Sequence, residues 1–234
     1  ARWKGLLDKL LPAPGKVTKT THFQALPYAQ LPVFMEQLVG QEGMGAKALL
    51  FLILTAARSG EVRGATWEEI DLAARVWTIP AERMKASKAH RVPLSDAAIA
   101  LLQEMKSLTL AAGRASGKAY VFPSPNSRDP ELGSQLSDMT LTAVLRRLKL
   151  EAVPHGFRST FRDWCAEQTD YPNEVAEMAL AHTVGNKVEA AYRRGDLLAK
   201  RQQLMQDWAD YALGRRAGNM TVGHRSDSKA PTQN

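Results

Sequence analysis

Apolar positions recur with a helical period along most of the chain. PVFMEQLVG, residues 32 to 40, places its apolar side chains on one face. AKALLFLILTAARSG, residues 46 to 60, is apolar nearly throughout and predicts a buried helix ending at Gly60. Its apolar run is far short of the roughly 20 residues that cross a bilayer. One patch changes period: RVWTIP (75 to 80) and HRVPL (90 to 94) alternate like two strands, and AERMKASKA between them is turn-prone. A β-hairpin is expected there, with Lys85 and Lys88 near its tip. Ser95 is expected to cap a helix to about Ala112. GRASGKAYVFPSP reads as loop with a short strand, and Ser137 as the cap of TLTAVLRRLKL. Pro172 suits the first turn of NEVAEMALAH. Gly185 and Asn186 form a break before a helix over Val188 to Arg194, and residues 197 to 213, LLAKRQQLMQDWADYAL, are strongly periodic. The expected fold is mainly α with a small antiparallel β-hairpin, an α+β chain without internal repeats.

The ends differ from the middle. ARWKGLLDKLL, residues 1 to 11, reads as the end of a helix, and PAPGKVTKTTHFQALP as an extended basic linker. The expected organisation is a remnant of a preceding domain with its linker over 1–21, one domain over 22–213, and a flexible polar tail over 214–234. The chain opens on Ala1 without a methionine and is expected to be a fragment of something longer.

An apolar content of 44% and a charged content of 24% over 234 residues suit an ordinary soluble globular domain. No secretory signal is read at the start. Cys165 is the only cysteine, which excludes an internal disulfide and a multi-cysteine zinc site. Its context DWCAEQ suggests a buried inert thiol. The 31 Lys and Arg against 24 Asp and Glu give a net charge of +7 and a pI near 9.6. That balance favours polyanionic partners, because each neutralised phosphate releases condensed counterions.

Several residues have the chemistry to act on such a partner, and each has a bland reading beside it. In VPHGFRSTFRDW, His155 and Arg158 lie three positions apart, on one helical face. Arg158 offers a fork for phosphate oxygens and His155 a titratable ring, although such a pair is most often structural. Arg58, in ARSGE, is expected at the C-terminal end of the apolar helix, where it would satisfy the last carbonyls. Glu61, three residues on, would hold its guanidinium toward a ligand. A hairpin lysine is usually solvated, and nothing in local pattern separates Lys85 from Lys88. His182, ten residues before Tyr192, suits a helix end, and Tyr192, followed by two arginines, suits a half-buried ring with a wet hydroxyl.

The ordered set is more specific than its members. Arg58 with Glu61, a hairpin lysine, His155-x-x-Arg158, His182 and then Tyr192 resembles the catalytic signature of the tyrosine recombinases, the phage-integrase family, over about residues 22 to 213. PHGFRSTFRDW, LAH…VEAAYRRGD and KRQQLMQDWADY are similar to integrases of prophages, satellite phages and genomic islands. The resemblance implies a tyrosine that attacks a DNA phosphate and leaves a 3′-phosphotyrosyl link. It implies Tyr192 as nucleophile, Arg58 and Arg158 as the clamp on the non-bridging oxygens, and His182 as the residue that hydrogen-bonds the phosphate. It also implies His155 as acceptor of the phenol proton, Lys85 as general acid and Glu61 as support. Lys85 is preferred to Lys88 because it stands seven residues before Val92, where the family lysine falls. Two features depart from the family pattern: Leu180-Ala181-His182 replaces Leu-Gly-His, and the His-to-Tyr spacing is ten, not nine.

The same resemblance implies no cofactor, no metal and no ATP, because a phosphotyrosyl ester retains the energy of the broken bond. The implied partners are double-stranded DNA attachment sites, further copies of the chain in a tetramer on DNA, a host DNA-bending protein and an excisionase, with no membrane. The implied location is the cytoplasm, at the bacterial nucleoid. Residues 1 to 11 would be the last part of a core-binding domain. The periodic C-terminal segment is expected to pack in cis without DNA. Three rival readings stand beside this one: a type IB topoisomerase, a basic DNA-binding module that has lost activity, and a metal nuclease built on His155 and His182.

Overall fold

The computed structural model describes residues 24–182 and 195–215. The linker before Gln24, the Gly185–Asn186 break, the helix expected over 188–194 and the tail beyond Arg215 lie outside the described residues.

Eight helices and three strands follow one another among the described residues: α1 (Leu31–Val39), α2 (Met44–Thr55), α3 (Ser59–Arg63), β1 (Ile70–Asp71), β2 (Val76–Ile79), β3 (His90–Pro93), α4 (Asp96–Ala111), α5 (Thr140–Arg147), α6 (Gly156–Gln168), α7 (Asn173–Ala179) and α8 (Leu198–Ala212). None of the helices is long and apolar enough to cross a membrane. The fold is mostly helical with one small antiparallel sheet, as expected.

α2 is the hub. Leu49, Phe51, Leu52, Ile53 and Leu54 are all buried, and the helix is covered by α1, α4, α5 and α8. It stops earlier than its sequence suggests. Ala56 takes a left-handed conformation at φ 50°, and Arg58 is extended and starts a separate helix. The expectation that the helix runs to Gly60 and that Arg58 caps its end is therefore wrong. Ser-Gly marks the opening of α3, and Arg58 sits at its N-cap.

The sheet order is β1-β2-β3, with Trp77 opposite both Ile70 and Val92, and Ile79 opposite His90. The hairpin was legible in the alternation of β2 and β3. β1 was not, because two residues cannot show a period. Ser95 accepts from the Ala98 N–H and caps α4 as expected. Ser137 does not cap α5: Met139 holds that position, and the Ser137 hydroxyl meets the Thr140 hydroxyl at 2.9 Å. Pro172 lies at the N-cap of α7, one residue outside the helix, not in its first turn.

α8 packs on α1, α2, α4, α7 and β3 of its own chain. Leu204 and Trp208 are fully buried, and the Trp208 indole N–H donates to the Ile53 carbonyl at 2.7 Å. Trp208 also meets Phe161 edge-on and lies 5.2 Å from Trp164. The buried Arg201 fastens the start of this helix. It donates to the Asp196 and Arg91 carbonyls at 2.7 and 2.6 Å and pairs with the Asp196 carboxylate at 2.9 Å. Cys165 is buried, and its thiol pKa is pushed up by desolvation, which keeps the sulfur protonated.

Candidate active site

Arg158 stands in the first turn of α6, and a glycine places it there. A Cβ on Gly156 would lie 2.1 Å from the Gln24 carbonyl, so the chain at Gln24 and Ala25 crosses directly over the start of this helix. The Val153 N–H donates to Gln24 and the Thr160 hydroxyl to Leu26. His155 precedes the helix at its N-cap and is solvent-exposed, whereas Arg158 is only 4% exposed.

The Arg158 guanidinium ties three segments. Nη1 donates to the Ala56 carbonyl at 2.6 Å, and Nη2 to the Leu180 carbonyl at 2.5 Å and toward His182 Nε2 at 3.2 Å. The left-handed turn at Ala56 thus ends α2 and supplies an acceptor. Burial first, and then the neighbouring Arg58, lower the Arg158 pKa to about 10, so the cation persists at neutral pH. Arg58 also approaches the Leu180 carbonyl, at 3.5 Å. Glu61 holds it at two points: one carboxylate oxygen accepts from the Arg58 backbone N–H at 2.8 Å and the other from Nη1 at 2.7 Å. Two guanidiniums therefore converge on one backbone oxygen. One has a carboxylate partner, and the other is buried against carbonyls.

His182 follows α7. Its Nδ1 lies 2.7 Å from a Glu177 carboxylate oxygen, which can only accept, so Nδ1–H donates and Nε2 is left to accept from Arg158. Glu177 in turn accepts from Arg162 at 2.6 Å. Partial burial alone would raise the Glu177 carboxyl, but the bonds from Arg162 and His182 outweigh it and hold the pKa below the usual value. The His155 pKa is lowered by desolvation of the covered part of the ring, then by Arg158, Arg58 and His182. A histidine so placed is neutral at pH 7 and has a lone pair to accept a proton.

The structure thus brings Arg58, Glu61, His155, Arg158 and His182 into one electrostatic neighbourhood. Lys85 and Lys88 are both exposed on the β2–β3 turn and are not part of the hydrogen-bonded cluster. Tyr192 lies outside the described residues. Among the described residues, no group of three or more His, Cys, Asp or Glu is placed to hold a metal ion.

The Phage integrase family model matches residues 28–197, nearly all of the segment that carries this cluster. The chain belongs to that family. Among its curated relatives, Prophage integrase IntA of Escherichia coli (strain K12) is 37% identical over 201 residues, covering 84% of this chain and 46% of that protein. The Integrase of Enterobacteria phage P4 is 33% identical over 213 residues, covering 83% and 46%. The chain therefore spans about half the length of the curated relatives it matches. Its fold is similar to that of the integrase from mycobacterium phage Brujita (TM-score 0.60, 15% identity, 86% of this chain and 62% of that one). It is also similar to that of XerA recombinase (TM-score 0.53, 14% identity, 85% and 64%).

Three groups around the integrase-family cluster were missed in the sequence. Glu177 precedes His182 by five residues, across the end of α7, and no helix-spacing rule pairs them. Arg162 is one turn from Arg158 on α6, a legible spacing, but its partner Glu177 is on another helix. His90 begins β3, and its Nε2 lies 3.3 Å from the Ala179 carbonyl, so Nε2–H donates there. Desolvation first, and then Arg201, lower the His90 pKa to about 4.

This shift has a testable sign. Between pH 6.5 and about 4, unfolded chain takes up a proton at residue 90 and folded chain does not, so stability falls as pH falls through that window. The shift corresponds to about 3 kcal/mol. A His90→Gln variant keeps a donor for Ala179 and has nothing to titrate. Its melting temperature is expected to fall less than wild type between pH 6.5 and about 4, read by thermal melts in parallel buffers.

Proposed function

We propose that this chain is the catalytic domain of a site-specific DNA recombinase, an integrase that cuts and rejoins DNA through a 3′-phosphotyrosyl intermediate to insert or excise a mobile element. The observation that carries the reading is the pair of guanidiniums, Arg58 and Arg158, meeting at the Leu180 carbonyl with His155 and His182 beside them. Such a site offers fixed positive charge and hydrogen-bond donors to a phosphodiester. Fixed positive charge of this kind suits the charge that builds on a five-coordinate phosphorus.

In the proposed step the Tyr192 oxygen bonds to phosphorus, and the phosphorus–O5′ bond breaks with its electron pair leaving on O5′. That oxygen takes a proton from Lys85. The phenol proton passes to His155, which its surroundings keep neutral at pH 7. A phenol of pKa about 10 is a weak nucleophile without such help. Arg58 and Arg158 hold the non-bridging oxygens, His182 donates to one of them through Nε2 once that nitrogen has released Arg158 and taken a proton from solvent, and Glu61 keeps Arg58 oriented. Rejoining is the reverse attack by a 5′-hydroxyl and consumes no nucleotide. The partner is double-stranded DNA at attachment sites, with four copies assembled on it and a host DNA-bending protein and an excisionase acting beside them. The net charge of +7 supports a polyanionic partner, and the work takes place in the cytoplasm at the bacterial nucleoid.

The test is covalent trapping. The chain is mixed, in EDTA, with a nicked duplex copied from the junction between the element that encodes it and its host DNA. A denaturing gel is expected to show a protein–DNA adduct, and peptide mapping is expected to place it on Tyr192. Relaxation of any supercoiled plasmid, without strand exchange between junction duplexes, would favour a topoisomerase.

The lysines are separable in the same assay. Lys85→Ala is expected to slow adduct formation by about 10²–10⁴-fold, the usual worth of a positioned acid, and Lys88→Ala to change it little. Substituting sulfur for the bridging 5′-oxygen is expected to restore the Lys85→Ala rate. A thiol with a pKa of about 8.5 leaves as thiolate without being protonated.

A further inference from the structure

We infer that Arg83 and Glu69 form a positioning pair that fixes the lysine turn to the Arg58 element; the inference rests on the recombinase reading and names how two of its residues are held in register. Arg83 lies two residues before Lys85, at the end of the 3-10 turn Ala81–Arg83 that leads out of β2. Its Nη2 donates to the Glu61 carbonyl at 2.5 Å, and its Nη1 pairs with the Glu69 carboxylate. The Glu69 side chain is only 7% exposed and accepts a second bond, from the Trp77 indole N–H at 2.9 Å. Trp77 is fully buried in β2.

One guanidinium therefore spans the strand that leads into the lysine turn, the short helical turn Trp67–Glu69 before β1, and the backbone of the residue whose side chain holds Arg58. A planar fork satisfies two acceptors in fixed directions, which a lysine cannot do. The neighbourhood is shaped for it. A Cβ on Gly64 would lie 2.8 Å from Arg83 Nη2, so the absence of a side chain at residue 64 is what lets the guanidinium lie there. Lys85 is exposed and makes no bond in the arginine cluster, so the placement of its turn depends on what secures the base of that turn. The buried Met84 anchors the turn to the core, and Arg83 fastens it to the Arg58 element. It does not touch the DNA and acts through Lys85.

A role through Lys85 differs from a merely structural one in its response to the leaving group. The measurement is the single-turnover rate of adduct formation on the nicked junction duplex, once with an ordinary bridging 5′-oxygen and once with sulfur at that position. Arg83→Met is expected to be about 10–100-fold slower than wild type on oxygen and within about 3-fold of it on sulfur, part of the 10²–10⁴ that a positioned acid is worth. Arg83→Lys is expected to fall between. Glu69→Gln preserves the acceptor for Trp77 and removes only the charge that holds Arg83, so it reports on the pair if Arg83→Met folds poorly. Gly64→Ala displaces the guanidinium without deleting it and is expected to copy the pattern more weakly. Arg83→Met and Glu69→Gln defects equally large on oxygen and sulfur, or no defect on oxygen, would overturn the inference. Failure of sulfur to rescue Lys85→Ala itself would instead show that Lys85 is not the general acid, and wild type with no adduct would remove the recombinase reading altogether.

Discussion

Tyr192→Phe is expected to leave no covalent adduct on a denaturing gel, a loss on the order of 10⁶ or to the detection limit, as for removal of the nucleophile from an otherwise intact site. Binding to the same duplex should change by no more than a few-fold, since one hydroxyl is lost and no cation. Three other phenols of the chain are poor substitutes. Tyr171 donates to the Asp207 carboxylate at 2.6 Å, Tyr28 to Glu167 at 2.7 Å and Tyr211 to the Tyr28 carbonyl at 3.1 Å. Desolvation and then Asp207 push the Tyr171 pKa up, the Glu167 bond raises that of Tyr28, and desolvation raises that of Tyr211. Each is tied to an acceptor and gives up its proton less readily than an ordinary phenol. An adduct that survives Tyr192→Phe at wild-type level would mean that another residue is the nucleophile.

Arg158→Lys is the second large effect, and it separates charge from geometry. The substitution retains the cation but loses the fork that reaches Ala56, Leu180 and His182 together. Adduct formation is expected to slow by about 10²–10³-fold, the usual cost of one missing donor at a developing oxyanion. The Ala56 and Leu180 carbonyls are left short of partners, at about 1–3 kcal/mol each where they stay buried, so the melting temperature should fall as well. DNA affinity at fixed salt should barely move, because the charge is kept. An Arg158→Lys variant that cleaves at the wild-type rate would show that positive charge alone suffices, and that the convergence on Leu180 has no catalytic meaning.

The hairpin, the Ser95 cap and the period of α8 were legible because each depends on residues close in sequence. The end of α2 was not. The left-handed turn at Ala56 has no glycine to mark it, and its carbonyl is used by Arg158, about a hundred residues away. Similarly, the glycine of the HGFR stretch looks like a loose helix start in sequence. In the structure it is a contact with the Gln24 backbone that no Cβ could make. Glu177 and Arg162 were invisible as supports of His182 because the triad bridges two helices packed side by side.

The sequence by itself determined which residue types were present, in what order, and on which kind of element: a buried hydrophobic helix, a basic hairpin, an HxxR helix start and a periodic C-terminal helix. Those follow from local propensity and period, which act over a few residues. Only the tertiary structure decided that Arg58 and Arg158 share the Leu180 carbonyl, that Glu177 meets His182, that Arg83 reaches the Glu61 carbonyl, and that α8 packs on its own chain with Trp208 on the Ile53 carbonyl. Each of these joins groups from separate elements. The reason is solvation: a guanidinium, imidazole or indole N–H removed from water must find an acceptor in whatever backbone or side chain the packing brings beside it, and sequence neighbours do not say which that will be.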